Sequence, residues 1–281
     1  MARYRYVVAD VFTDRALEGN QLAVFTDARD LPEELLQALA RELKFSETVF
    51  VYPAEADGHA RMRIFTPAAE VPFAGHPTLG TAFVLGGPLQ LGEIKLETGV
   101  GTVPVTLERE GARIVFGRMS QPVPKVEPFD GEASLFDALG VEGSELPVEL
   151  YDNGLRHVYV CLRSPEEVAA LQPDFKRLAA NGPFLCVSTI AGSGTTWKTR
   201  MFAPGGGVDE DPATGSAAGP LCVHLVRHGR VPPGQEIEIT QGVEIDRPSK
   251  LYARVEGTPE RIERVEVGGS AVIVARGEFK L

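Results

Sequence analysis

Two segments of this chain repeat one another. Arg63-Ile64-Phe65-Thr66-Pro67 leads into Pro72-Phe73-Ala74-Gly75-His76, and Arg200-Met201-Phe202-Ala203-Pro204 leads into Pro212-Ala213-Thr214-Gly215-Ser216. Gly75 and Gly215 are separated by half of the 281-residue chain, so the spacing predicts a duplicated domain with one such turn per half. Each copy reads as a strand, a Gly/Pro-rich turn and an apolar run, Thr78 to Leu85 in one and Ala217 to Val226 in the other. A helix that is apolar on every side is a buried one, so each half is expected to wrap a sheet around a central helix. A helix start offers unpaired N–H groups and the positive end of the dipole. Two such starts facing each other across a domain cleft would hold a small anion or a developing oxyanion.

Length alone suggests about two domains at roughly 150 residues each, and 43% hydrophobic residues supply two cores. The net charge of −11 argues against nucleic acid and anionic membrane as partners. An anionic substrate stays possible, because helix termini make a local positive site inside an acidic protein. Cys161, Cys186 and Cys222 are dispersed and form no CxxC, which favours a reducing cytoplasm over disulfides or a structural zinc site. No export signal and no bilayer-spanning stretch is expected.

Alternation predicts strands at Tyr4 to Phe12, Gln21 to Phe25, Thr48 to Tyr52, Ala60 to Phe65, Ile94 to Thr98, Gly101 to Glu108 and Arg113 to Gly117. Asp30, with Glu33 three residues on, reads as the N-cap of an amphipathic helix carrying Leu35, Leu36, Leu39, Ala40 and Leu43. The Pro-rich stretch 121–128 reads as a crossover between halves, Leu155 to Leu162 as the start of the second sheet, and Pro165 to Leu171 as a short helix. Pro220 implies a kink or an irregular first turn in the second buried helix.

Three side chains stand out. Glu47 is the only charged residue between Lys44 and Glu55 and shares strand parity with Phe45, Val49 and Val51, which aims it at an apolar surface. Desolvation there would raise its pKa into a range suited to giving and taking a proton; the alternative is a structural strand-end glutamate. His76, followed by Pro77 at a helix start, is expected to stay neutral and to act as a hydrogen-bonding group, either toward a ligand or as a cap. In Asp209-Glu210-Asp211-Pro212 the first two acids read as a solvated loop, whereas Pro212 restricts Asp211 beside the second turn.

Gly19-Asn20-Gln21-Leu22-Ala23-Val24-Phe25, Ser46-Glu47-Thr48-Val49-Phe50, Phe65-Thr66-Pro67 with Glu70 to Thr78, and Glu210 to Ala217 together resemble the phenazine-biosynthesis PhzF-like proteins, which have the diaminopimelate-epimerase-like fold. The resemblance spans essentially the whole chain. It implies an α+β architecture of two pseudo-symmetric lobes, each a curved, mostly antiparallel sheet around a central helix. The implied lobes are 1–120 with 270–281, and 121–269, with the active site between them. It further implies Glu47 as general acid/base, with Asn20, Gly75, His76, Asp211, Thr214, Gly215 and Ser216 as substrate contacts. By resemblance the protein is a homodimer.

Diaminopimelate epimerases and proline racemases carry a cysteine directly before each of the two glycines. Here Ala74 and Thr214 stand there, which excludes a two-thiol racemase. The leading expectation is a cofactor-independent isomerase, without a metal, in which Glu47 shifts a proton on a small carboxylated substrate. Alternatives are a catalytically silent binding protein of the same fold, and a metal-assisted hydrolase using His76, Asp211 and Glu47, which lacks any HxH or HExxH spacing. Nucleotide cofactors are weaker candidates still: Gly192-Ser193-Gly194 lacks a third glycine, and Gly205-Gly206-Gly207 lacks the Lys-Ser/Thr of a P-loop.

Overall fold

The computed structural model describes residues 2–281. In chain order the first half contains β1 (Arg3–Val11), β2 (Asn20–Phe25), α1 (Glu33–Leu43), β3 (Glu47–Tyr52), β4 (Ala60–Phe65), β5 (Glu70–Val71), α2 (Gly75–Leu89), β6 (Glu93–Thr98), β7 (Gly101–Glu110) and β8 (Arg113–Gln121). Then follow β9 (Lys125–Pro128), α3 (Glu132–Leu139), β10 (Glu149–Asp152), β11 (Arg156–Cys161), α4 (Pro165–Ala170), α5 (Phe175–Ala179), β12 (Leu185–Ser193), β13 (Thr196–Ala203) and β14 (Val208–Asp211). The chain ends with α6 (Gly215–Arg227), β15 (Ile237–Gln241), β16 (Ser249–Gly257), β17 (Ile262–Gly269) and β18 (Ala271–Lys280). Two compact units result, one from the chain up to Ser120 with Gly268–Leu281, the other from Gln121–Val267.

The duplication seen in the residues recurs in the pairing. In the first unit β1–β2 is antiparallel, β2–β3 parallel, β3–β4 and β4–β5 antiparallel, β4–β6 parallel and β6–β7 antiparallel. In the second unit β10–β11 is antiparallel, β11–β12 parallel, β12–β13 and β13–β14 antiparallel, β13–β15 parallel and β15–β16 antiparallel. Each strand thus has its counterpart nine strands later. The ninth strand of each series serves the other series: β9 pairs with β10, and β18 pairs with β1.

The repeated arginine does the same job twice. Arg63 holds Glu70 through two hydrogen bonds of 2.7 Å and lies 5.2 Å above the Phe65 ring. Arg200 holds Glu210 through bonds of 2.9 and 2.8 Å and lies 5.2 Å above the Phe202 ring. Glu210 is therefore not the solvated loop residue expected from its acidic neighbours. It lies on a strand that folds back against β13, where the planar guanidinium meets it in a forked geometry.

Both α2 and α6 are buried along nearly their whole lengths, as an all-apolar surface requires. Small residues let them approach the sheet. A Cβ on Gly80 would fall 2.6 Å from Leu22 and 2.7 Å from Val11, so α2 rests directly on β1 and β2. The amphipathic α1 covers the opposite face of the first sheet, packing Leu36, Leu39 and Ala40 on Phe25, Phe50 and Phe65. Phe50 thus faces α1, and by the two-residue period of a strand Glu47 and Val49 face α2.

Two further expectations change. Asp30 does not cap α1; the helix begins at Glu33 with Pro32 as its N-cap. The proline ring disfavours the helical region for the preceding Leu31, so the helix cannot reach back to Asp30. The stretch 121–128 is also more than a connection, because it supplies β9, with its prolines at the ends of that short strand.

Candidate active site

In the first unit the folding brings three of the expected residues together. Asn20 opens β2 and Glu47 opens β3, which run parallel with Leu22 level with Glu47. His76 is the second residue of α2. Oε2 of Glu47 lies 3.3 Å from Nδ1 of His76, and Nδ2 of Asn20 lies 3.3 Å from the same nitrogen. The Glu47 side chain retains only 15% exposure.

Burial pushes the pKa of His76 down to about 3, opposed by a hydrogen bond to the Gln21 backbone. The imidazole is therefore neutral, as expected, but desolvation rather than the helix dipole is the main cause. Its approach to Glu47 is therefore a close contact between a neutral ring and a carboxyl group rather than an ion pair, and the hydrogen bond of Nδ1 is the one with Asn20. Nε2 of His76 is buried and has no protein partner. Leaving a polar atom so costs about 1–3 kcal/mol, which a bonded substrate atom would recover.

The starts of α2 and α6 are built alike. Neither Ala74 nor Thr214 makes a side-chain cap, so the N–H groups of Gly75 and His76, and of Gly215 and Ser216, have no intrahelical acceptor. Pro77 contributes no donor in the first turn of α2. In α6 the N–H groups of Ala217 and Ala218 both reach the Thr214 carbonyl, at 3.0 and 3.2 Å.

The second unit gathers Asp211, Thr214, Gly215 and Ser216 around a closed set of bonds. Thr214 Oγ1 donates to Oδ2 of the buried Asp211 at 2.6 Å. Gln241, at the end of β15, donates from Nε2 to the Asp211 carbonyl at 2.7 Å and to Thr214 Oγ1 at 3.0 Å, and accepts from the Thr214 N–H at 3.1 Å. Because the hydroxyl already accepts from the amide, its single proton is directed at Asp211. Sequence reasoning missed Gln241. The available signal was the next residue: Gly242 has φ +78°, and a Cβ there would lie 2.5 Å from the Pro212 carbonyl.

Pro220 leaves no visible gap in α6 because the unit supplies replacement donors. It cannot bond the Ser216 carbonyl one turn back, and Asn153 Nδ2 takes that carbonyl at 2.9 Å. The neighbouring carbonyls of Gly215 and Ala217 receive Gln121 Nε2 at 2.8 Å and Tyr159 Oη at 2.7 Å. Three side chains thus fix the first turn of α6.

The registers also show what stands opposite Glu47 in the duplication. Thr48 pairs with Phe65 and Val187 pairs with Phe202, and the two phenylalanines share one place in the repeated motif. Glu47 therefore corresponds to Cys186, a buried thiol. The other thiols are remote from acid–base work, since burial pushes Cys161 up to about 11 and Cys222 up to about 12.

The model for the phenazine biosynthesis-like proteins, PhzC-PhzF, matches residues 9–277. The chain belongs to this PhzF family. Over 278 residues, 99% of the chain and 100% of the relative, it is 52% identical to a trans-2,3-dihydro-3-hydroxyanthranilate isomerase from Pseudomonas aeruginosa. A PhzF-family protein from Bacillus anthracis has a similar structure, with TM-score 0.86 over 100% of both chains at 24% identity. A hydroxyproline epimerase from Agrobacterium vitis is similar in fold, with TM-score 0.69 over 99% of this chain and 91% of that one at 13% identity. This PhzF-family chain therefore has the α+β, diaminopimelate-epimerase-like fold and is an isomerase. No helix among its described residues is long and apolar enough to cross a membrane.

Proposed function

We propose that this chain is a cofactor-independent isomerase of a small carboxylated substrate, trans-2,3-dihydro-3-hydroxyanthranilate or a close analogue, with Glu47 as the proton carrier. The observation that carries the proposal is the largely buried Glu47 carboxyl 3.3 Å from a neutral, buried His76. The full-length relationship to an isomerase of that compound supports the substrate class.

The chemistry suits one acid on one face. In a 2,3-dihydroanthranilate the two remaining ring double bonds are conjugated with the carboxylate, so charge left by removing the proton at carbon 3 spreads to the carboxylate. Glu47 takes that proton and returns it elsewhere on the conjugated system, with no net gain or loss of atoms or electrons. A general acid–base group in this role is worth about 10²–10⁴-fold in rate. Gly75 and His76 would bind the delocalised anion, with Asn20 orienting His76. In the second unit Asp211, Thr214, Gly215 and Ser216 are the proposed substrate contacts. The family resemblance of the sequence motifs is the basis for proposing a homodimer, which sedimentation velocity would test.

Glu47→Gln is expected to fold normally and to lose solvent deuterium incorporation into substrate along with turnover. Unchanged exchange in that variant would remove Glu47 from the mechanism.

A further inference from the structure

Outside both turns, the far end of α6 meets β10 in a group of donors that the isomerase chemistry does not use. His224 and His228 stand one helical turn apart, so their rings project from one face, and Glu149 opens β10 beside them. His228 Nε2 is 2.8 Å from Glu149 Oε2, and His224 Nδ1 is 3.9 Å from the same oxygen. All three donor atoms lie within 4.8 Å of one another. The Tyr151 hydroxyl joins them, 2.8 Å from Glu149 Oε2 and 2.9 Å from His224 Nδ1.

We propose that Glu149, His224 and His228 form a binding site for one divalent transition-metal ion of the zinc class. Tetrahedral bonds of about 2.1 Å hold neighbouring ligand atoms about 3.4 Å apart. The separations of the two ring nitrogens from Oε2, 2.8 and 3.9 Å, straddle that value, and side-chain rotation that releases His224 Nδ1 from the Tyr151 hydroxyl would free it for the ion. Two imidazoles and one carboxylate are the ligand types found where zinc keeps a position open. His224 is fully buried while His228 and Glu149 keep 20% and 22% exposure, which gives the ion a way in from solvent. Tyr151 supplies the outer hydrogen bond that orients a ligating carboxylate.

Arg227 sharpens the selectivity. Its Nη2 lies 3.2 Å from Glu149 Oε1, so one carboxylate oxygen is already compensated and only Oε2 faces the imidazoles. Hard cations such as Mg²⁺ and Ca²⁺ need several anionic or carbonyl oxygens and find one here. Zn²⁺, Co²⁺, Ni²⁺ and Cu²⁺ bind imidazole strongly and tolerate the deficit. The site lies about 20 Å along α6 from Gly215, at about 1.5 Å per residue, so its occupation ties the end of that helix to β10 rather than serving the proton transfer.

The test uses tag-free protein, stripped with a chelator, dialysed and titrated with ZnCl₂ by calorimetry and with CoCl₂ by visible absorption. One ion per chain, a visible Co²⁺ ligand-field band, a Zn²⁺-dependent rise in thermal midpoint and no response to MgCl₂ are expected. His228→Gln, at a partly exposed position and still able to donate to Glu149, should weaken Zn²⁺ binding at least about tenfold. Solvent deuterium exchange into substrate should persist in that variant, which also shows that it is folded. The proposal is overturned if the parent chain takes up no stoichiometric Zn²⁺, if Mg²⁺ binds as well as Zn²⁺, or if His228→Gln and Glu149→Gln bind Zn²⁺ as tightly as the parent.

Discussion

The turn before α2 and the turn before α6 descend from one sequence pattern, yet they are finished in opposite ways. Around α2 a carboxyl group and a neutral imidazole approach each other, and the imidazole keeps one buried nitrogen without a protein partner. Around α6 the side chains of Asp211, Thr214 and Gln241 are tied into one another, and three further side chains hold the first helical turn. Duplication thus kept the helix start in both places and finished the surroundings differently, leaving a buried imidazole nitrogen without a protein partner beside one and a closed set of bonds beside the other. The strand facing the first turn brings Glu47, while the matching strand position in the second copy brings only Cys186.

The strongest way to break this contrast is to compare those two positions directly. Glu47→Gln should lower turnover by about 10²–10⁴-fold, whereas Cys186→Ser should leave substrate deuterium exchange close to the parent level. Equal losses would mean that the copies share the chemistry.

The repeated arginine pairs offer a second comparison, read by urea denaturation. Glu210→Gln strands Arg200 at a site where both partners are only 7% exposed, and about 3–5 kcal/mol of stability should be lost. Glu70→Gln should cost about 0–1 kcal/mol, because Glu70 is 43% exposed and Arg63 keeps its bonds to Glu33. A similar cost at both positions would show that burial does not distinguish the two pairs.

Gln241→Leu tests the tied turn. It leaves the Thr214 N–H and the Asp211 carbonyl without the amide, at a cost of about 1–3 kcal/mol. If orientation of Asp211 matters for substrate, kcat/KM should also fall about tenfold; loss of stability with unaltered kinetics would make the turn purely structural.

The smallest effect concerns acid stability. His157 is fully buried, neither ring nitrogen has a protein partner, and desolvation pushes its pKa down to about 3. Below its unfolded value of about 6.5 the unfolded chain takes up a proton that the folded chain refuses, so stability falls as the pH drops from there toward 3. His157→Leu should reduce the loss between pH 7 and pH 5 by about 1–2 kcal/mol. His76 and His224, depressed for the same reason, keep the remaining acid sensitivity.

What could be read from the residues was whatever repeats locally. The Arg-x-Phe-x-Pro copies announced the duplication, uncharged runs marked α2 and α6 as buried, and strand parity aimed Glu47 at an apolar surface. What escaped notice was set by partners distant in the chain. Glu210 looks solvated until Arg200 is seen across the hairpin, Gln241 is an ordinary strand residue until it meets Thr214, and His224 and His228 acquire meaning only from Glu149 on β10. Even the start of α1 turned on Pro32, whose steric effect on Leu31 outweighed the capping pattern at Asp30.

The exchange of β9 and β18 has a consequence for ancestry. Each repeat completes the sheet of its sister, with Glu127 beside Leu150 and Lys280 beside Arg3. A progenitor with a single repeat would have paired its first strand with its second alone, leaving the other edge bare unless a second molecule covered it. Reciprocal exchange of that strand between two identical chains, later joined by gene fusion, would account for the arrangement.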